Sequence, residues 1–168
     1  MDHYELLGLQ RRLALTPEEL QTKFYELSRQ WHPDRFARKP EPEKQQALDT
    51  SSALNDAYRT LRNPVDRAEY LLTLEGFDSS ELRSKDVPPE LLEEVFEWNM
   101  AKEELRDGDA SAQTQLEAMA RNFGQMLVGS DRELQTMFVD YDAAPGRELL
   151  ARIRALLNRR KYIQNLVG

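Results

Sequence analysis

Pro33 is the strongest local constraint in this chain, because it dictates where a well-defined helix must end. That helix opens at Thr16-Pro17-Glu18-Glu19. Thr16 can cap free N–H groups, Pro17 suits the first helical position, and Glu19 closes a capping box. Leu20, Phe24, Leu27 and Trp31 then recur at helical spacing and make one apolar stripe. A proline disfavours the α conformation for the residue before it, so the helix stops at His32. His32 and Asp34 are thereby held on a short, stiff turn between two apolar anchors, Trp31 and Phe36. Taken alone, His-Pro-Asp is a helix stop with a solvated carboxylate, a pattern short enough to recur by chance.

The rest of the chain reads as helix too, with no run of alternating β-rich residues, so the expected fold is all-α. Residues 2–9 make a short helix with Tyr4, Leu6, Leu7 and Leu9 available to pack and Gly8 as a stop. After the polar loop Arg38–Pro42, a helix runs from about Glu43 to Arg62. Ala47, Leu48, Ser51, Leu54, Ala57, Tyr58 and Leu61 supply its buried side, and its spacing suits antiparallel pairing with the Thr16 helix. Asn63-Pro64 starts another helix, reaching Glu75 and stopped by Gly76. Residues 77–87 carry Ser79, Ser80, Ser84 and Asp86 and read as a linker.

Pro88-Pro89 opens a second helical region. In its first helix, to about Arg106, Leu91, Val95, Trp98 and Leu105 share one stripe, while Leu92, Phe96 and Met100 share another. By periodicity alone the second stripe suits either a bundle core or a partner. A long helix follows to about Tyr141. Gly129 and a capping box at Ser130-x-x-Glu133 mark a candidate break in it. The last helix opens at Pro145-Gly146, with Leu149, Leu150, Ile153, Leu156, Leu157, Ile163 and Leu166 as its core. From Asp78 through Asp109 there are 11 acidic and 4 basic side chains, and from Pro145 to Gly168 there are 6 basic and 1 acidic. The acidic first helix and basic last helix of this region should attract each other, though surface pairs stabilise weakly.

A helix ending in His-Pro-Asp, followed by a basic residue, a Phe and a second long helix, resembles a J-domain. The resemblance implies docking on a DnaK-type heat-shock chaperone and stimulation of its ATPase through His32, Pro33 and Asp34. Lys23, Arg29 and Arg35 would supply the basic contacts, with Glu26 diluting that face; without the resemblance these cations are a solvated helix surface. The segment Arg67–Gly76 is similar to that of the HscB co-chaperone family, which serves iron–sulfur cluster biogenesis. General DnaJ proteins continue into glycine-rich and cysteine-rich regions, whereas this chain has only 7 Gly and no Cys. In HscB proteins the region after the linker is a three-helix domain whose first helix helps bind an IscU-type scaffold. Leu92, Phe96, Glu97 and Glu104 match that family pattern. Glu93 and Met100 depart from it, which moves the apolar contact around the helix and adds Met100 to the expected face. Tyr162 takes the place of an aromatic residue beside the family's scaffold site, and suits either that role or the core.

Composition narrows the function classes further. A net charge of −7 argues against general nucleic-acid binding. Without cysteine there is no disulfide, thiolate metal site or cysteine nucleophile. The N-terminus lacks the pattern of a signal peptide, and no stretch approaches a membrane span, so a cytoplasmic location is expected. His32 and Asp34 could serve as an acid–base pair, but no surrounding constellation supports an enzyme. The expected organisation is a J-domain over residues 1–76 that folds by itself, a linker over 77–87, and a C-terminal three-helix, scaffold-binding domain over 88–168. The expected function is a non-enzymatic co-chaperone. It would need no cofactor or metal and would bring an IscU-type iron–sulfur scaffold to an HscA- or DnaK-type chaperone. The alternative is a J-domain adaptor for a different client, or one that self-associates.

Overall fold

The computed structural model describes residues 1–77 and 87–168, so most of the expected linker lies outside the described residues. All regular structure among the described residues is helical: α1 (His3–Leu6), α2 (Pro17–Trp31), a 3₁₀ turn (Pro33–Phe36), α3 (Glu41–Arg62), α4 (Pro64–Leu74), a 3₁₀ turn (Pro89–Leu91), α5 (Leu92–Arg106), α6 (Ala112–Ala143) and α7 (Arg147–Val167). None of these helices is long and apolar enough to cross a membrane. The chain forms two compact units. The first comprises Met1–Gly76 together with Phe138–Ala144, and the second comprises Phe77–Met137 with Pro145–Gly168. The end of α6 therefore belongs with the N-terminal helices, where the sequence boundaries had placed it with the C-terminal ones.

In the first unit, local chemistry sets the helix ends. The Thr16 hydroxyl accepts a hydrogen bond from the Glu19 N–H at 3.2 Å, and the Glu19 carboxylate accepts from the Thr16 N–H at 3.0 Å. The Thr16 backbone bond, then the Arg12 guanidinium, hold the Glu19 carboxyl below its ordinary pKa. Asn63 accepts from the N–H groups of Val65 and Asp66, both at 3.0 Å, and caps α4. Asp2 caps α1, which is shorter than expected because the chain turns at Gly8 with φ +67°, a left-handed conformation that favours glycine. Gly76, at φ +84°, ends the last turn after α4 in the same way. The stripe of α2 meets α3 through the stacked rings of Phe24 and Tyr58, 4.2 Å apart. Leu54, Ala57 and Leu61 of α3 are buried as expected, but Leu48 is 50% exposed. Ala47 beside it is buried as expected, so the buried side of α3 is narrower than the sequence stripe by Leu48.

A buried polar cluster closes the base of this unit. The Arg67 side chain is nearly inaccessible; its Nε donates to the carbonyl of Leu13 and its Nη1 to that of Leu61, both at 2.7 Å. Its guanidinium lies 5.7 Å from the ring centroid of Phe138, itself fully buried. Burial pulls the Arg67 pKa down, while Tyr4 and Asp142 act in the opposite sense. The Asp142 carboxylate accepts from the N–H groups of Leu13 and Ala14, both at 2.8 Å. The Tyr4 hydroxyl donates to the Arg12 carbonyl at 2.9 Å. The loop before α2 has no secondary structure to satisfy these backbone groups, and each buried one must find a partner.

The second unit is built on α5, α6 and α7. Leu91, Val95, Trp98, Phe123 and Ile163 form its buried cluster, with Trp98 edge-on to Phe123 at 5.7 Å. The long helix α6 runs without a break through Gly124 and Gly129. The expected capping box at Ser130 is not used, because Ser130 is inside the helix and buried. The basic last helix pairs with α6 more closely than with the 3₁₀ turn that leads into the acidic α5. Arg160 is 2.8 Å from Asp131 and Arg159 is 3.4 Å from Glu133, while Glu90 lies 3.9 Å from Arg159.

Asp142→Ala would strand two part-buried N–H groups and is expected to cost about 2 kcal/mol or more in urea unfolding. Asp142→Asn, which keeps one acceptor oxygen, should cost less. A fragment ending at Gly76 lacks both Phe138 and Asp142 and should melt at a lower temperature than the full chain.

Candidate functional site

The turn after α2 has the geometry its proline demands. His32 is the C-cap of α2, with φ −59° and ψ 130°, already out of the helical region. The same residue starts the 3₁₀ turn: its carbonyl accepts from the Arg35 N–H at 2.9 Å, and its Nδ1 accepts from the Asp34 N–H at 3.1 Å. With Nδ1 accepting, the neutral ring carries its proton on Nε2. The anchors Trp31 and Phe36 stack with centroids 5.8 Å apart and planes 4° from parallel. They close the turn from beneath and leave the polar groups outside. The side chain of Asp34 is 92% exposed and that of His32 58% exposed; the 3.6 Å between His32 Nδ1 and the Asp34 carboxylate is an ion pair only when the ring is protonated.

Arg29, His32 and Arg35 line one shallow depression of about 430 Å³ with Tyr25 and Ser28. Three of the expected chaperone-contact residues are thus brought together, joined by the Pro33 and Asp34 backbone of the same turn. Lys23 is exposed on α2 but does not line this depression. Arg29, Arg35 and Lys23 make no ion pair with another described residue, so their charge is available to a partner. Tyr25 is the residue the sequence reading missed: it is 52% exposed and lies outside the apolar stripe of α2. A large aromatic off the buried stripe was the signal that could have found it.

The two stripes of α5 separate in the structure. Leu91, Val95 and Trp98 are buried, whereas Leu92, Phe96 and Met100 are 57%, 64% and 46% exposed. Three exposed apolar side chains on successive turns of one helix form a patch rather than scattered singles. Phe96 and Met100 share a depression of about 370 Å³ with Asn99, Lys102, Glu103 and Arg106. Glu97 and Glu104 are exposed on the same helix but do not line that depression, and Glu93 is exposed beside Leu92. Tyr162 is half-buried and packs against the core cluster of the second unit. No group of three or more His, Cys, Asp or Glu side chains among the described residues is placed to hold a metal ion.

Comparison with known proteins finds two family matches along the chain. Residues 2–70 match the DnaJ domain, and residues 87–167 match the HSCB C-terminal oligomerisation domain. The Co-chaperone protein HscB of Proteus mirabilis (strain HI4320) is 46% identical over 78 residues. That match covers 46% of this chain and spans 45% of the relative's length. Among solved structures, Chaperone HscB from Vibrio cholerae aligns over 99% of this chain and 93% of its own, with a TM-score of 0.64 and 27% identity. The human co-chaperone protein HscB aligns over 98% of this chain and 78% of its own, with a TM-score of 0.67; at 23% identity it speaks for the fold alone.

The separation of the α5 stripes has a direct consequence for stability. Val95→Ala removes buried volume and should cost about 2 kcal/mol. Phe96→Ala, on the open stripe, should change stability by no more than about 0.5 kcal/mol. Thermal melts of the two variants check both values.

Proposed function

The chain belongs to the HscB-type family of J-domain co-chaperones, and on that premise we propose that it couples an HscA- or DnaK-type chaperone to an IscU-type iron–sulfur scaffold. The observation that carries this reading is the presence, in one chain, of an exposed His-Pro-Asp turn with unpaired cations and an exposed apolar stripe on the first helix of an HSCB-type domain. The turn is the part that acts on the chaperone. It is stiffened from behind by Trp31 against Phe36 and from within by the His32 ring on the Asp34 N–H. Little conformational entropy is left to lose when it docks, and preorganisation of this kind favours binding. Arg29 and Arg35 supply positive charge beside it and Lys23 adds to the same helix, which suits an acidic surface on the chaperone.

The scaffold reading rests on α5. Leu92, Phe96 and Met100 offer apolar area that the free protein leaves in water, and Glu97 and Glu104 supply carboxylates on the same helix. Docking would desolvate the apolar groups, while the carboxylates set orientation through complementary charge. Tyr162 enters this reading as support for the core beneath α5, since it packs against the cluster that contains Val95 and Trp98. Each partner thus has its own surface, and ATP hydrolysis belongs to the chaperone.

His32→Gln should abolish stimulation of the chaperone ATPase and leave the helical circular dichroism unchanged. A folded variant that stimulates normally would remove the assignment of the turn. Phe96→Ala should weaken scaffold affinity by roughly tenfold or more, the effect of a central apolar anchor. Titration calorimetry of the two proteins measures it, and a wild-type chain that binds no scaffold would leave only the adaptor role of the turn.

A further inference from the structure

The second unit also carries a polar notch that the proposed function does not use. It has a volume of about 380 Å³ and lies between the start of α5, the middle of α6 and Arg159 of α7. Leu91 and Met126 make part of its lining apolar, and Gly129 leaves it open. No positive φ calls for glycine at that position, and a Cβ added there would meet nothing within 4 Å. A mid-helix glycine weakens the helix relative to alanine, so the vacancy carries a cost that packing does not explain.

Two polar groups on this notch have no partner. Ser130 is 2% exposed, and its hydroxyl makes no hydrogen bond. A helical serine ordinarily satisfies its hydroxyl on the carbonyl four residues back, and a buried hydroxyl left without that bond is destabilising. Glu94 is half-buried and makes no ion pair or hydrogen bond with another described residue. The other two carboxylates of the notch, Glu90 and Glu133, share Arg159 at 3.9 and 3.4 Å. One guanidinium against three carboxylates leaves the notch negative, and Glu94 is the carboxylate with no cation beside it.

We propose that this notch receives a lysine side chain presented by a protein partner, its stem lying on Leu91 and Met126 and its ammonium shared by Glu94 and the Ser130 hydroxyl. A cation answers the surplus carboxylate, and the apolar lining answers a methylene stem. Lysine fits better than arginine because a compact ammonium can donate in several directions, to a carboxylate and a hydroxyl on different helices. A guanidinium is a flat fork that requires coplanar acceptors.

The test uses the full chain, isotope-labelled for NMR and titrated with N-acetyl-lysine N-methylamide, with the norleucine counterpart as the uncharged probe. The lysine probe should shift the amides of Gly129 and Ser130 saturably, and the norleucine probe should bind roughly tenfold more weakly or worse. Glu94→Gln should weaken the lysine probe by a similar factor. Ser130→Ala should also weaken it, yet raise the melting temperature, because the variant removes a buried hydroxyl without a partner. No saturable shift in the wild type, equal binding of the two probes, or undiminished lysine binding by Glu94→Gln would each overturn the proposal. So would a lower melting temperature for Ser130→Ala, which would show the hydroxyl to be bonded within the bundle.

Discussion

Arg67 is the interaction on which the first unit depends. A guanidinium removed from water is costly unless its donors are met, and here two are met by backbone carbonyls that would otherwise lack partners themselves. Those carbonyls belong to Leu13, just before α2, and Leu61, at the end of α3. One side chain on α4 therefore ties down the base of the α2–α3 hairpin. Asp142 secures the same loop through the N–H groups of Leu13 and Ala14, and Phe138 covers the guanidinium. The consequence is felt at the other end of the hairpin. With its base fixed by buried bonds, its tip can hold His32 and Asp34 in water without any buried contact of their own.

The second unit solves a different problem. Helix α5 has too much apolar surface for one face of a bundle, and the core takes only the stripe that reaches Phe123 and Ile163. The other stripe stays largely in water, where Leu92, Phe96 and Met100 give the free protein little stability. Exposed apolar area of that kind is informative because it runs against the force that folds the rest of the domain. The turn of the first unit and the stripe of the second thus share a logic: the core is complete without them.

Much of the site was legible because its determinants are local. The break at Pro33, the anchors Trp31 and Phe36, and the cap at Thr16 are set by residues within a turn of one another. The separation of two stripes on α5 was equally readable as periodicity, but which stripe the core would take was not. Trp98 and Phe96 differ little in hydrophobicity; only the position of Phe123 on α6 decides between them. Leu48 was misplaced, and Tyr25 passed over, for a related reason. Helical spacing shows which residues share a face, yet the width of the buried face depends on how closely the neighbouring helix approaches.

The helices, their caps and stops, and the stiff polar turn between α2 and α3 are written in the order of residues along the chain. These follow from steric and hydrogen-bonding effects between residues a few positions apart, which act before any tertiary contact forms. Packing between distant segments, by contrast, sets Phe138–Ala144 with the first unit, carries α6 unbroken through Gly129, and buries Ser130 where a cap was expected. The Arg67 and Asp142 bonds to Leu13 join residues 54 and 129 positions apart. Nothing in the local sequence marks Arg67 as buried or Asp142 as a partner for a distant loop. Their roles arise because an irregular loop needs partners for its backbone groups, and which side chains supply them is settled by what the folded chain brings within reach.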